Sequence, residues 1–247
     1  MTTWLHGKVI EKKQWCVDLY SLKIKTTPLQ FKAGQFVNIG LQVDGKVLAR
    51  PYSLINSPDD SVLEIHFNSV KNGKLSPLLT SLAIGDNVQV SDRASGFLTL
   101  NEVPKVDFLW LLATGTGIGP FLSMLKTPEL WQDFKKIILC YSVKSFEKLV
   151  YRTDFDTFQS QHQNQFCFVP FITREKIDNT IHSRITTSLE NGMLEKQVNL
   201  KLTSDSNHIM LCGNSNMIAD VTALLENRGM SRHTRREPGN IAIEKYY

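Results

Sequence analysis

An arginine, an aromatic ring and a hydroxyl fall within four positions of "ARPYSLINSP", Ala49 to Pro58. In a strand, Arg50 and Tyr52 share one face and Ser53 takes the other, unless the strand bends. Arg50 carries the planar fork that suits a phosphate. Tyr52 can stack on a flat ring, and Ser53 can hydrogen-bond a ring edge. An ordinary strand with a surface arginine and a half-buried tyrosine accounts for the same residues. A second stretch, "NGKLSP" from Asn72 to Pro77, is a turn, a lysine and a serine that opens a helix. Backbone amides and Ser76 there suit a pyrophosphate, and a hairpin turn with a helix cap is the plainer alternative. A third, "LLATGTGIGP" from Leu111 to Pro120, packs three glycines into five positions behind an apolar run. Its Gly-x-Gly-x-Gly spacing departs from the Gly-x-Gly-x-x-Gly dinucleotide fingerprint, and a strand-to-helix turn also uses glycine.

These stretches sit in two regions of different rhythm. The first hundred residues read as short strands: "WCVDLYSLKIKT", "GQFVNIGLQV", "RPYSLIN", "VLEIHFNSV" and "NVQVSD", broken by Gly, Pro, Asn and Asp. Close strands and frequent turns predict an antiparallel β-barrel. One helical segment, "SPLLTSLAIG", interrupts it, with Ser76 as its cap, Pro77 in its first turn and Gly85 beyond its end.

From Asp107 the apolar runs "FLWLLA", "KIILCYSV", "FCFVPFIT" and "HIMLCGN" alternate with helical stretches. The helical stretches are "PFLSMLKT", "YRTDFDTFQSQ", "RITTSLENG" and "NMIADVTALLENRG". That alternation predicts an α/β domain with a parallel sheet covered on both faces. The expected division is a barrel over residues 1–99, a linker near Thr99–Val106 and an α/β domain over residues 106–247. The glycine stretch then follows the first strand of the parallel sheet. Ligands of such sheets bind beyond the carboxyl ends of the strands, and a helix starting near Gly119 aims free N–H groups at an anion.

Composition narrows the function classes. The chain has 247 residues, 42% hydrophobic and 21% charged, with a formal charge of +4. This describes a globular protein with a real core. The longest basic stretch is "SRHTRREPG", Ser231 to Gly239, which argues against nucleic acid and leaves room for an acidic protein partner. Cys16, Cys140, Cys167 and Cys212 lie far apart, in no C-x-x-C or iron–sulfur pattern. None of the six histidines forms an H-E-x-x-H pair, so no metal site is expected. Cys16, Cys140 and Cys167 read as small packing residues. No secretory leader or membrane span is read in the sequence, and a cytoplasmic setting is expected.

Taken together, R-x-Y-S, G-K-L-S, T-G-T-G-I-G-P and C-G-N, in this order, resemble the bacterial ferredoxin (flavodoxin)–NADP+ reductases. The resemblance covers essentially the whole chain. It implies FAD in the barrel and NADP(H) in the α/β domain. Arg50 then binds the FAD pyrophosphate with Pro51 beside it, Tyr52 stacks on the isoalloxazine, and Ser53 sits at flavin N5. His66, Phe67 and Asn68 run along the flavin, His66 standing where relatives often carry an aromatic. Lys74, Leu75 and Ser76 bind the pyrophosphate, largely through backbone, and Thr116 faces the flavin. The chain ends "EKYY"; Tyr247, or Tyr246, covers the FAD adenine where a tryptophan is commoner.

For NADP, the resemblance assigns Gly117, Gly119 and Pro120 to the pyrophosphate. The 2′-phosphate demands cations. Arg174 follows the third parallel strand, Arg184 lies ten residues on near a helix start, and Lys144 follows the second strand, with Val143 and Thr173 alongside. Arginine is commoner at position 144; lysine keeps the charge and loses the bidentate geometry. Cys212 stands beside the nicotinamide for packing, Gly213, Asn214 and Asp220 border the nucleotide, and Glu244 is a candidate acidic partner there. The implied reaction moves a hydride between NADPH and FAD and single electrons between FAD and an acidic carrier, ferredoxin or flavodoxin. Ser53, Cys212 and Glu244 are the candidate catalytic groups, and a monomer is expected. The competing readings are an NAD(P)H-dependent flavin or cytochrome reductase on the same framework, an electron-transfer subunit without its own turnover, and a nucleotide-binding sensor.

Overall fold

The structure, a computed structural model, describes residues 3–245. The chain divides into two compact units. The first comprises residues 1–100 with 119–127, and the second residues 101–118 with 128–247. The change of rhythm near residue 100 coincides with the first crossing, while one helix beyond the glycine stretch packs with the first unit.

The first unit is built on a six-stranded antiparallel sheet. Its strands are β1 (Trp4–Cys16), β2 (Leu19–Lys25), β3 (Phe36–Val43), β4 (Lys46–Ser53), β5 (Leu63–Asn68) and β6 (Asn87–Ser91), in spatial order β4-β3-β6-β1-β2-β5. Its two edges meet, because Leu54 just past β4 bridges Ile65 of β5, and Ile55 N donates to Glu64 O at 2.9 Å. This closure removes the exposed edges that an open sheet would leave. Alternate side chains point inward: Val9, Leu22, Ile24, Val37, Ile39, Ile65, Val88 and Val90 form its core, all with under 2% exposure. The stretch "WCVDLYSLKIKT" is not one strand: β1 ends at Cys16, and Val17–Asp18 turn the chain into β2. Asp18 is the single turn-type residue there, and a lone aspartate inside an alternating run does not by itself mark the break.

The helix α1 spans Ser76–Ser81, and its cap is Leu75 rather than Ser76. The Ser76 hydroxyl instead accepts from Val70 N at 2.9 Å, closing the turn after β5. Pro77 does occupy the first turn, and Gly85 (φ +99°) turns the chain four residues after the helix ends.

The second unit is a five-stranded parallel sheet. Its strands are β7 (Phe108–Thr114), β8 (Lys136–Val143), β9 (Phe166–Ile172), β10 (Asn207–Gly213) and β11 (Ile241–Lys245), in the order β11-β10-β7-β8-β9. Its helices are α3 (Pro128–Asp133), α4 (Arg152–Gln161), α5 (Ile185–Glu190), α6 (Met193–Val198) and α7 (Ser215–Asn227). The helix α2 (Gly119–Leu125) packs with the first unit. The interiors of β7, β8 and β10 are buried without alternation, as strands covered on both faces require. Ile138, Cys140, Val169, Phe171, Ile209 and Leu211 pack with Ile185, Leu189, Val221 and Leu225 on one face. On the other, Phe155 of α4 lies 4.6 Å from Phe168 and 6.1 Å from Tyr141, centroid to centroid. Burial pushes the Cys140 and Cys167 thiols up, which suits their expected packing role. All four cysteines are free. Among the described residues no helix is long and apolar enough to cross a membrane.

Two histidines are buried as neutral rings. Burial lowers His66 in β5 to about 3, against a hydrogen bond to the Tyr20 backbone. Burial and the neighbouring His233 lower His208 in β10 to about 4. A depressed histidine favours the folded state fully above the unfolded value of 6.5, and that stability is lost as pH falls toward the folded value. Urea midpoints taken from about pH 7 down to about pH 4 should therefore fall, by up to about 1.4 kcal/mol per pH unit for each histidine. His208→Phe should flatten that slope by the share of one proton; an unchanged slope would show that His208 does not titrate there.

Candidate functional site

In the first unit, β4 carries the R-P-Y-S residues beside β3, with Ser53 opposite Phe36 and Tyr52 opposite Val37. Arg50 and Pro51 are exposed, Tyr52 half-buried and Ser53 buried, so burial deepens along the end of β4 rather than alternating. The Arg50 guanidinium donates through Nη1 to its neighbour's carbonyl, Ala49 O, at 2.7 Å and stays at the surface. Tyr52 meets the edge of Phe67 at 5.7 Å and 72°, and Phe67 stacks on Tyr20 at 6.0 Å and 25°. Phe67 is spent on the core, so Tyr52 is the ring of this trio's site pair that keeps an accessible side. Burial pushes the Tyr52 phenol up to about 12, with Arg50 opposing, so it remains a neutral stacking surface. Tyr20 supports that ring and was absent from the sequence-derived set; its place opposite Phe67 depends on the β1–β2 turn at Val17–Asp18.

His66 and Asn68 follow on β5, His66 buried and Asn68 half-buried. Lys74 is exposed, and Leu75 and Ser76 are buried. The first turn of α1 has no side-chain cap and no acidic residue. This donor set, together with the exposed Arg50 of the same unit, is of a type that fits the anionic part of a flavin nucleotide, and the half-exposed Tyr52 is of a type that fits its ring. Gly119 and Pro120 open α2 and are buried.

In the second unit the strand order reverses between β7 and β10, the position where such sheets open a ligand crevice at their carboxyl ends. The two strand ends are laced together there. Thr114 Oγ1, at the end of β7, accepts from Asn214 N at 2.7 Å. A Cβ on Gly213 (φ +125°) would stand 2.3 Å from that same oxygen, and a Cβ on Gly117 would stand 2.5 Å from Cys212 O. Thr114 was not among the candidate residues, although the hydroxyl directly before the first glycine is visible in the sequence. Thr116 lies half-buried in the 3₁₀ turn Gly115–Ile118.

Cys212 is buried and pairs in register with Glu244 of β11, which is half-buried. Asn214 caps α7, its Oδ1 accepting from Asn216 N at 2.9 Å and Met217 N at 3.2 Å, so its carbonyl oxygen has a structural task. Asp220 is exposed on α7.

Past β8 and β9 the chain keeps pairing beyond the strands. Thr173 N donates to Val143 O and Arg174 N to Lys144 O, both at 3.0 Å. This fixes the backbone of two cations at one rim, and Arg184 is the cap residue of α5. Lys144, Arg174 and Arg184 are all exposed, and among the described residues no hydrogen bond or ion pair engages their side chains. The first turn of α5 has no side-chain cap and no acid. Free cations around an uncapped turn fit a nucleotide with an extra phosphate. Tyr246 and Tyr247 lie outside the described residues.

Comparison with known proteins agrees with this layout. Residues 6–94 match the oxidoreductase FAD-binding domain and residues 111–223 the oxidoreductase NAD-binding domain. Fold and site thus define an FAD-dependent oxidoreductase with a second, nicotinamide-nucleotide domain. The flavodoxin/ferredoxin–NADP reductase of Escherichia coli (strain K12) is 38% identical over 248 residues, covering 100% of both chains. That of Buchnera aphidicola subsp. Baizongia pistaciae is 37% identical over 249 residues, again covering 100% of both. A ferredoxin NADP+ reductase from Neisseria gonorrhoeae, solved with bound FAD and NADP, superposes with a TM-score of 0.94 at 30% identity, covering 100% of each chain. The chain belongs to the flavodoxin/ferredoxin–NADP reductase family.

Gly117→Ala is expected to force the glycine turn away from Cys212, costing about 1–3 kcal/mol of stability and weakening nicotinamide-nucleotide binding. Thermal melts with and without NADP+ read both effects; wild-type behaviour would mean the Cys212 carbonyl can yield.

Proposed function

We propose that the protein exchanges electrons between NADPH and an acidic ferredoxin or flavodoxin, with NADPH preferred over NADH because Arg174, Arg184 and Lys144 stand unpaired at the nucleotide rim. Bound FAD supplies the redox chemistry, taking up or giving a hydride on the nicotinamide side and single electrons on the carrier side. The chain's own residues orient and shield. Arg50 and the backbone of Lys74, Leu75 and Ser76 hold the FAD pyrophosphate. Tyr52 lies against the isoalloxazine, and Ser53 offers its hydroxyl at N5. His66, Phe67, Asn68 and Thr116 line the flavin, and the terminal tyrosines cover the adenine. Gly117, Gly119 and Pro120 receive the NADP pyrophosphate. Arg174 and Arg184 clamp the 2′-phosphate, with Lys144, Val143 and Thr173 beside it. Cys212, Gly213, Asn214 and Asp220 border the nicotinamide half, with Glu244 next to Cys212 in the sheet. Burial keeps His66 and Tyr52 neutral, so no tyrosinate stands against the flavin to oppose electron uptake.

The modest positive charge and the lack of a long basic block support a protein partner rather than nucleic acid. A cytoplasmic monomer fits free cysteines and one chain that carries both nucleotide regions. The test is anaerobic mixing of the purified protein with NADPH, then with ferredoxin or flavodoxin. The flavin band should bleach and reoxidise, and the second step should slow as salt rises. Losing both charge-assisted clamps in Arg174→Gln/Arg184→Gln should raise the KM for NADPH by about 100-fold and leave NADH little changed. Equal use of NADH and NADPH by the wild type would overturn the clamp. Failure to take up FAD would overturn the flavin site.

A further inference from the structure

Two side chains, one in α2 and one just past its end, reach the chain immediately after Ser53. Ser123, fully buried, donates from Oγ to Asn56 O at 2.7 Å. Lys126, in the turn that follows α2, donates from Nζ to Ile55 O at 2.9 Å. The segment they hold is bound from its other sides as well: Leu54 N donates to Gln35 O at 3.0 Å, Ile55 N to Glu64 O at 2.9 Å, and Glu64 N to Asn56 Oδ1 at 2.8 Å. Sheet bonds of this kind close the barrel wherever the chain crosses an edge. Lys126 is half-buried: its stem can lie along apolar surface while the ammonium reaches a polar atom, and holding it there costs rotamer freedom. Among the described residues Lys126 has no acidic partner, so its ammonium is committed to one backbone carbonyl. That carbonyl lies two residues beyond Ser53.

We propose that Ser123 and Lys126 are positioning residues for the flavin strand: by pinning the carbonyls of Ile55 and Asn56 they keep Tyr52 and Ser53 in the register that presents the flavin. This rests on the assignment of Tyr52 and Ser53 to the flavin under the proposed function. The segment Gly119–Thr127 that carries the pair, α2 and the turn after it, leaves directly from the glycine stretch and is bonded to the segment leaving Ser53. Geometry at a reacting centre is sensitive to displacements well under the size of an atom, whereas binding of a large nucleotide through many contacts is not.

The test uses Lys126→Met, which keeps the stem and removes the donor, Ser123→Ala, and the conservative Lys126→Arg. Hydrogen exchange on the apoprotein reads the clamp without any cofactor. Amides of residues 50–57 should exchange about 10-fold faster in Lys126→Met and Ser123→Ala, and within about twofold of wild type in Lys126→Arg. In the FAD-loaded proteins the visible circular dichroism of the flavin should change in the first two variants and return in the third. Reduction by saturating NADPH should slow about 10-fold per bound FAD, with the KM for NADPH unchanged. Wild-type dichroism and rate in Lys126→Met and Ser123→Ala would overturn the proposal. So would a loss of rate that only tracks lost FAD, or a Lys126→Arg variant as slow as Lys126→Met. If the wild type itself takes up no FAD, the flavin assignment falls instead, while the exchange measurement still decides whether the clamp exists.

Discussion

Backbone meets backbone where β7 and β10 end. Gly117 lies so close to the Cys212 carbonyl, and Gly213 so close to Thr114, that neither position has room for a Cβ. The Thr114 hydroxyl completes the junction by accepting from Asn214 N. Three features of the second unit start from it. It sets where the 3₁₀ turn Gly115–Ile118 leaves the sheet, where α7 starts under its Asn214 cap, and where Cys212 is held between two strands. The parallel sheet supplies the crevice by topology, and the junction decides how tightly that crevice closes at its base.

Within each unit, taken by itself, burial and charge are separated. The groups nearest the assigned ring positions are kept uncharged by burial, His66 lowered and Tyr52 raised. The cations are exposed, where water and anions reach them: Arg50 and Lys74 in the first unit, Lys144, Arg174 and Arg184 in the second. Under the proposed function this keeps the phosphate-binding charges of each unit apart from its buried neutral groups.

Much of this was legible in residue order. Four of the five parallel strands were legible as unbroken apolar runs; β11, Ile241–Lys245, was not read as a strand. In the R-P-Y-S strand burial deepens toward Ser53 rather than alternating, Arg50 and Pro51 both being exposed. At the β1–β2 turn Asp18 was the one turn-type residue and was read as part of a strand, and with it went the pairing that brings Tyr20 to Phe67. Ser76 illustrates a different loss. Serine before proline is the ordinary sign of a helix cap, yet its hydroxyl went to Val70 N, a partner six residues back that no local pattern encodes. Ser123 and Lys126 were invisible for the same reason at longer range: their acceptors lie 67 and 71 residues away in sequence.

The glycine spacing shows how a motif can be right for reasons other than the obvious one. In a phosphate loop one expects the glycines to clear space for ligand. Here Gly117 clears space for Cys212, and Gly119 is buried as the first residue of α2. Gly115 alone, at φ +55° with nothing within 4 Å of its missing Cβ, turns toward open space. The interval of two between successive glycines is therefore set by the protein's own close contacts and by the tight 3₁₀ turn that joins them. The ordinary dinucleotide fingerprint spends its glycines on the turn, the ligand's approach and helix–strand packing at a different interval. Departure from that spacing marks a different partner for the loop: the β10 strand end, against which the nucleotide pocket is shaped, rather than the pyrophosphate alone.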